Sequence, residues 1–304
     1  MRVETLGDGE PEVAIVGGIH GDEPCGPNAV EDIIDADPEV QRPVKLIIAN
    51  EAALEEGTRY VETDLNRAFP GDPDADTHEE RLAHELLTEI RGCEILSLHS
   101  TQSYTAPFAL VDEMDGHARS VCPYLSVEAV VETAGYSTGR LIAYPDVVEL
   151  ECGIQRSAAA TENAKRLARE FLVATGVLTG DEKGSRHHPL PVFRLERQIP
   201  KPAADRYEVF VENFERVAEG ERFAAAEPEA EELRAWEAPF ADDGAMPAEG
   251  DDGGEYPSGF DPVENLEAEM ERRLERKHAR GKPETLDELV RELRTAERDT
   301  WWKE

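Results

Sequence analysis

Short apolar runs alternate with amphipathic stretches through the first 180 residues of the chain. The runs are rich in β-branched residues, and several are apolar at consecutive positions, as is typical of strands covered on both faces of a sheet. The strand candidates are Glu12–Val16, Lys45–Asn50, Glu94–His99, Pro107–Val111, Glu128–Glu132 and Val147–Cys152. Two helices stand out. One begins at Thr77, whose spacing to Glu80 matches a capping box, and one covers about Ser157 to Thr175. The alternation predicts an α/β fold, a mixed central sheet sandwiched by helices.

The pattern changes after Gly180, where Asp, Gly, His and Pro indicate a linker up to about Pro191. Val192–Arg197 and Tyr207–Phe214 predict strands of a small C-terminal β unit, and Val263–Arg280 and Thr285–Thr300 predict two tail helices. We therefore divide the chain into a main domain over residues 1–185, a small β-rich domain over 186–240, and an acidic loop with a two-helix tail over 241–304.

The chain is strongly acidic. Its 304 residues include 67 Asp and Glu but only 32 Lys and Arg, so the formal net charge of the chain is -35. Such a surface repels phosphate backbones and anionic lipid, so we expect no nucleic-acid and no membrane partner. Lysine is scarce as well. This combination favours an intracellular, halophilic protein, in which counterions screen the self-repulsion; a merely acidic protein of an ordinary environment is the alternative.

The cellular compartment is indicated by the N-terminus and the cysteines. The sequence shows no apolar signal region at Met1, and no stretch approaches the roughly 18 apolar residues of a membrane span. The four cysteines are scattered without a C-x-x-C pair, as expected for reduced thiols. We expect a cytoplasmic protein. The composition leaves open whether it forms a homo-oligomer.

Two segments carry candidate metal ligands. In Gly17-Gly18-Ile19-His20-Gly21-Asp22-Glu23, directly after a predicted strand, His20 and Glu23 could turn onto one ion. His99 ends another predicted strand and would complete a His2Glu set, which is known from catalytic zinc sites with an open fourth position. Taken alone, His20 beside Glu23 is more simply a surface pair, and His99 could be a core histidine.

Two further segments carry candidate polar chemistry. Arg59, Asn66 and Arg67 lie in a Pro/Gly-bounded segment and could clamp a carboxylate, or could be solvated loop residues. Glu149 and Glu151 point the same way from a predicted strand, and a carboxylate there could act as a general base. A solvent-facing pair is the simpler interpretation of the two glutamates alone.

Together, the four segments resemble the succinylglutamate desuccinylase/aspartoacylase family, relatives of the zinc carboxypeptidases. The motifs G-I-H-G-D-E, D-L-N-R-x-F-P-G, L-H-S and L-E-C-G match in order and approximate spacing over roughly residues 10–215. The resemblance implies a zinc-carboxypeptidase-like fold with a zinc-hydrolase domain at 1–185. The site residues that it implies are His20, Glu23 and His99 as ligands of one Zn²⁺ per chain, Glu151 and Arg59 as catalytic residues, and Asn66, Arg67, Arg140 and Phe69 as substrate-binding residues.

The activity implied by this resemblance is zinc-dependent hydrolysis of the amide bond in a small carboxylate-bearing N-acyl amino acid. Within enzymes, the alternative is a carboxypeptidase-like metallopeptidase. From a different class, the alternative is a non-catalytic zinc-binding interaction protein. That last alternative draws on the C-terminus, which becomes acidic and then helical after about Phe223, where the family has strands rich in Gly and Tyr.

Overall fold

The computed structural model describes residues 1–180, 190–199, 204, 206–227 and 234–237. The predicted linker at 181–189 and the predicted acidic loop and two-helix tail at 241–304 therefore lie outside the described residues. Within the described part of the chain, none of the helices combines the length and apolarity needed to cross a bilayer.

The elements alternate along the chain as the apolar pattern predicts. The helices are α1 (Cys25–Ala36), α2 (Glu51–Glu56), α3 (Leu65–Ala68), α4 (His78–Glu89), α5 (Gly116–Val121) and α6 (Ala158–Ala174). The strands are β1 (Arg2–Leu6), β2 (Val13–Gly17), β3 (Val44–Ile48), β4 (Glu94–Thr101), β5 (Phe108–Val111), β6 (Val130–Glu132), β7 (Val147–Ile154), β8 (Val192–Arg194), β9 (Arg206–Val209), β10 (Arg222–Glu227) and β11 (Arg234–Glu237). Short 3-10 turns at Cys122–Tyr124 and Leu141–Ala143 complete the set.

One compact unit spans Met1–Leu195 among the described residues, and its centre is an eight-stranded sheet in the order β1-β3-β2-β4-β7-β5-β6-β8. Strands β3, β2, β4 and β7 run parallel in the middle of this order. Strand β5 is antiparallel to β7, and β1 is antiparallel to β3. The sheet is therefore mixed, with four parallel strands at its centre.

Helices cover both faces of the sheet because the central strands are apolar on both sides. On β2, Val13 and Ile15 belong to one buried cluster with α1 and α6, while Ala14 and Val16 belong to a second cluster with α4. Local signals set the helix starts: the Thr77 side chain accepts a hydrogen bond from the Glu80 N–H at the start of α4, as the capping-box spacing predicts. The predicted α/β sandwich is confirmed.

A second compact unit spans Glu196–Pro262, and its described part is a three-stranded antiparallel sheet in the order β11-β10-β9. Ala225 and Ala226 of β10 are buried. The strand at Val192–Arg194 does not belong to this sheet. It pairs in parallel with β6 in the large sheet, although the sequence pattern grouped it with the small β unit.

Candidate functional site

The predicted chemistry converges at one edge of the large sheet. Strands β2, β4 and β7 are parallel neighbours, so their carboxyl ends meet at the same edge. His20 follows the end of β2, and His99 lies near the end of β4. Glu151 on β7 is the register partner of His99. Three separate segments of the sequence thus reach one place through strand pairing alone.

Two glycines around β2 are required by close backbone approach. A Cβ atom on Gly17 would lie 2.4 Å from the carbonyl carbon of Gly26, and a Cβ on Gly21 would lie 2.1 Å from that of Ala53. Any side chain at these positions would push the loop away from its neighbours. The glycines therefore let the loop that carries His20 and Glu23 fold tightly over the strand ends.

His20, Glu23 and His99 form a compact, buried group that could hold a metal ion. One ligand atom from each lies within 4.8 Å of the others. His20 Nδ1 is 2.8 Å from Glu23 Oε1, and His99 Nδ1 is 3.2 Å from Glu23 Oε2. The two imidazoles meet edge to face, with ring centroids 5.1 Å apart. The structure brings together all three of the residues that the sequence suggests as ligands.

Further contacts orient these three side chains. The far nitrogen of His20, Nε2, is 3.1 Å from Asp64 Oδ1, and the Ser100 N–H donates to Glu23 Oε2 at 2.8 Å. Burial alone would raise the pKa of Glu23, but its hydrogen bonds with His20 and His99 outweigh burial and hold that pKa far below its usual range. The Glu23 carboxylate is thus kept charged, as a metal ligand requires.

Glu151 lies beside this group with its Oε2 buried. Among the described residues, none donates a hydrogen bond to that atom. Burial raises the pKa of Glu151 to about 7, with a contribution from the negative charges of Glu149 and Glu23 and against the opposing effect of His99. A buried carboxyl group with a pKa near neutrality and an open oxygen is suited to accept and return a proton.

A cavity of about 260 Å³ opens above these residues. Eight of the nine residues proposed from the sequence line it: His20, Glu23, Arg59, Asn66, Arg67, His99, Arg140 and Glu151. Leu110 is the one hydrocarbon side chain among the described lining residues, and the others are polar or charged. The cavity is therefore suited to a small polar ligand.

The arginines of the cavity differ in their surroundings. Arg59 is held at the metal group by Asp64, with its Nε 3.1 Å from Asp64 Oδ2, and its Nη1 is 3.4 Å from Glu23 Oε1. Among the described residues, no carboxylate lies within ion-pair distance of Arg67 or Arg140. Burial and the neighbouring positive charge of Arg140 lower the pKa of Arg67. The carboxylates of Asp64 and Glu149 act on Arg67 only at longer range and oppose this lowering. Two adjacent guanidinium groups that form no ion pair with any described carboxylate favour an anionic ligand.

Phe69 is the one candidate that the structure places elsewhere. It is 5% exposed, packs in the apolar cluster with Leu65 and Leu82, and meets the Tyr144 ring edge to face at 6.2 Å. It does not line the cavity, because an aromatic side chain with no polar atom is better buried behind the arginine-bearing turn. The prediction that Phe69 contacts the substrate is therefore corrected to a core position.

Glu79 holds the loop that carries Arg59 and Asp64. This buried carboxylate accepts hydrogen bonds from the Asn50 side chain at 3.1 Å and from the backbone N–H groups of Val61 (2.7 Å), Glu62 (3.1 Å) and Thr63 (3.1 Å). Burial alone would raise the pKa of Glu79, but these bonds outweigh burial and lower it. The sequence pattern does not connect Glu79 with this loop, because its partners lie 16 to 29 residues away along the chain.

We predict that Glu79→Gln destabilises the protein by about 2 kcal/mol at neutral pH. The new side-chain NH2 group is a hydrogen-bond donor, so it cannot accept from the backbone N–H groups that the carboxylate binds. The lowered folded-state pKa makes this stabilisation complete above the ordinary Glu pKa of 4.5 and lost as pH falls below it. Denaturant unfolding of both proteins at pH 7 and at pH 4 measures the difference. Glu85→Gln, an exposed position on the same helix, is the control. Equal stability of the Glu79 variant and wild type at pH 7 would contradict the role.

Asp64 and Glu149 were also missed as site residues by sequence reasoning. In the sequence Asp64 is only the first residue of the D-L-N-R motif, and nothing local shows that it reaches His20 across 44 residues. For Glu149 and Glu151 taken alone, the sequence favours a solvent-facing pair, yet the structure buries Glu149, which is 3% exposed. The alternation of strand β7 carries the signal for Glu149, since both glutamates share one face.

Comparison with known proteins agrees with this geometry. The model of the succinylglutamate desuccinylase/aspartoacylase catalytic domain matches residues 9–141. A probable aspartoacylase of Nostoc sp. is 31% identical over 127 residues, which are 38% of this chain and 43% of the relative. An N-acyl-aromatic-L-amino acid amidohydrolase (carboxylate-forming) of Xenopus laevis is 26% identical over 133 residues, 39% of this chain and 44% of the relative.

The fold is shared with solved structures as well. The product-bound ectoine utilization protein of Ruegeria pomeroyi superposes with a TM-score of 0.66 at 21% identity, covering 79% of this chain and 81% of that one. The sequence matches span less than half the length of the curated relatives. Residues 9–141 of this chain therefore match the catalytic domain of the succinylglutamate desuccinylase/aspartoacylase family, and the fold is that of solved structures of this kind.

Proposed function

We propose that this protein is a zinc-dependent amidohydrolase that removes the acyl group from a small, carboxylate-bearing N-acyl amino acid. The observation that carries the proposal is the meeting of His20, Glu23 and His99 with Glu151 at one sheet edge. The cavity there also holds two arginines that have no ion-pair partner in the described part of the chain. The match of residues 9–141 to this catalytic domain, and the similarity to curated amidohydrolases, support hydrolysis of a carbon–nitrogen bond. The acidic composition and the free cysteines support a cytoplasmic enzyme adapted to high salt.

The donor set fits zinc. Two imidazole nitrogens and one carboxylate are a common set for catalytic zinc, and they leave one coordination position open. Asp64 on the far nitrogen of His20 is the carboxylate–histidine arrangement that fixes a ligand ring. Zinc bound by His20, Glu23 and His99 supplies Lewis-acid chemistry, which polarises the scissile carbonyl and makes water more acidic.

Glu151 moves the proton in the proposed reaction. Its carboxylate accepts a proton from the attacking water and then delivers it to the nitrogen of the leaving amine. The pKa of about 7 suits both transfers, because a group near neutrality gives up a proton as readily as it takes one. Its register pairing with His99 keeps the carboxyl group beside the metal ligands in every turnover.

The arginines bind and orient the substrate. Arg67 and Arg140, which lack a carboxylate partner among the described residues, hold the carboxylate of the amino acid. Arg59 stands at the metal group and stabilises negative charge that develops on the acyl oxygen. With one end of the substrate fixed by two arginines, the amide is placed between Arg59 and Glu151.

A substrate panel tests the proposed class. We expect kcat/KM to be about tenfold or more higher for N-acetylaspartate and N-succinylglutamate than for N-acetylphenylalanine, since a polar cavity with one hydrocarbon side chain offers little surface for a benzyl group. A dipeptide with a free carboxylate tests the metallopeptidase alternative. Faster hydrolysis of the dipeptide would support that alternative, and preference for the aromatic compound would contradict the assigned class.

A further inference from the structure

Glu149 is a buried acid that the proposed reaction does not use. It lies on β7, two residues before Glu151 and on the same face, and it lines the cavity with an exposure of 3%. Its Oε2 is 3.6 Å from His99 Nε2 and 3.5 Å from Asn66 Nδ2. One carboxylate oxygen thus contacts both a proposed metal ligand and a residue of the proposed substrate-binding segment.

The contact with His99 is made at the ring nitrogen that faces away from Glu23. His99 Nδ1 points to Glu23, while Nε2 lies between Ser97 Oγ at 3.1 Å and Glu149 Oε2. A negative charge beside Nε2 favours a proton on that nitrogen and leaves the Nδ1 lone pair available to an ion. This is the arrangement that Asp64 provides for His20 on the other side of the group.

The contact with Asn66 fixes the arginine-bearing turn. Asn66 Oδ1 accepts a hydrogen bond from the Leu141 N–H at 3.0 Å, and its Nδ2 donates to Glu149. The side chain is 4% exposed, so both polar atoms of the amide are engaged inside the protein. Leu141 directly follows Arg140, and the orientation of the Asn66 amide therefore determines where the turn with Arg140 sits.

From these contacts we propose that Glu149 is a positioning residue that holds the metal ligand His99 and, through Asn66, the substrate-binding Arg140 in one arrangement. The inference deepens the proposed function and rests on it. In this arrangement Asn66 acts through its neighbours: it ties Glu149 to the turn, and the arginines contact the substrate. A change at Glu149 should consequently affect zinc affinity and substrate affinity together.

Glu149→Gln tests the inference, because the amide keeps the size of the side chain and places an NH2 group among the donors of His99 and Asn66. We expect the zinc Kd, measured by competition with a chelator, to rise about 10–100-fold. KM for N-acetylaspartate should rise as well, with a smaller fall in kcat. The ¹⁵N shifts of the His99 imidazole in the zinc-bound protein should show a changed environment at Nε2, the ring nitrogen that faces residue 149.

Two further variants separate positioning from general destabilisation. Glu132→Gln removes a carboxylate of equal burial, 4% exposed and bonded to the Met114 N–H, outside the cavity; it should lower the Tm without changing zinc Kd or KM. Ser97→Ala removes the other group beside His99 Nε2. If Ser97→Ala weakens zinc binding while Glu149→Gln leaves the zinc Kd unchanged, the proposal is overturned. Ser97, not Glu149, would then be the residue that orients the His99 ring.

A failure of the positioning role of Glu149 can be distinguished from a failure of the proposed enzyme activity. Zinc affinity and imidazole shifts are measured without turnover. Weakened zinc binding in a protein that hydrolyses nothing in the panel would retain Glu149 as a positioning residue and reject the enzyme. If the wild type is active and Glu149→Gln changes neither the zinc Kd nor KM, the enzyme proposal stands and the positioning role of Glu149 is rejected.

Discussion

Replacing Glu151 with Gln should lower kcat by about 10²–10⁴-fold while zinc stays bound, which is the range that a lost general base produces. The amide keeps the shape of the side chain but cannot accept a proton from water. Because Glu151 is not among the three proposed ligands, the ion should remain at full occupancy. Steady-state kinetics on N-acetylaspartate and zinc analysis of the same purified sample measure both effects.

The matched control is Glu162→Gln, a surface position on α6 whose side chain is 76% exposed. It should leave kcat and zinc content at the wild-type level. Activity retained by the Glu151 variant would remove Glu151 from the reaction. A wild type that binds zinc and hydrolyses no compound of the panel would favour the non-catalytic zinc-binding alternative.

Replacing His99 with Ala should have the largest effect on the metal. The variant loses one of three ligands and removes the imidazole that stands between the carboxylates of Glu23 and Glu149. Loss of a residue that only hydrogen-bonds to a metal ligand lowers metal affinity about 10–100-fold. We expect loss of the ligand His99 itself to lower zinc affinity further and to abolish activity. Isothermal titration with zinc, or chelator competition at fixed protein concentration, measures the change.

His99→Asn is the control for misfolding, because Asn keeps a polar side chain at this buried position. It should lose zinc binding as His99→Ala does. His84→Ala, on α4 and outside the cavity, is the matched histidine control and should bind zinc as the wild type does. Unchanged zinc content in both His99 variants would exclude His99 from the site.

The sequence predicts the strands of the large sheet well where they are central. All six strand candidates coincide with β2 to β7, because buried strands need apolar residues on both faces and so stand out as continuous runs. The edge strand β1, Arg2–Leu6, mixes exposed and half-buried positions and gave no such run. Strand β10 contains three consecutive alanines, which carry no β-propensity, and becomes a strand through its pairing with β9.

The site was predictable to the extent that its residues stand on strand ends. His20, His99 and Glu151 follow or end apolar runs, so the rule that parallel strands meet at one edge brings them together. Contacts made across loops follow no such rule. Nothing local in the sequence shows that the Asn66 side chain forms hydrogen bonds with Leu141 and Glu149. The same holds for the hydrogen bonds by which Glu79 holds the loop of Arg59.

The two halves of the site differ in their mechanical support. The proposed metal-binding half rests on β4 and on the tight loop after β2, at the centre of the large sheet, where we expect backbone hydrogen bonds to open only with the sheet itself. The arginine half rests on turns at residues 57–64 and 137–141, which are held by a few side-chain bonds and open at a lower free energy. Amide hydrogens should accordingly exchange early around Arg59 and Arg140 and late around His99. In the proposed reaction, local opening of these turns would let the product leave while the three metal ligands keep their places.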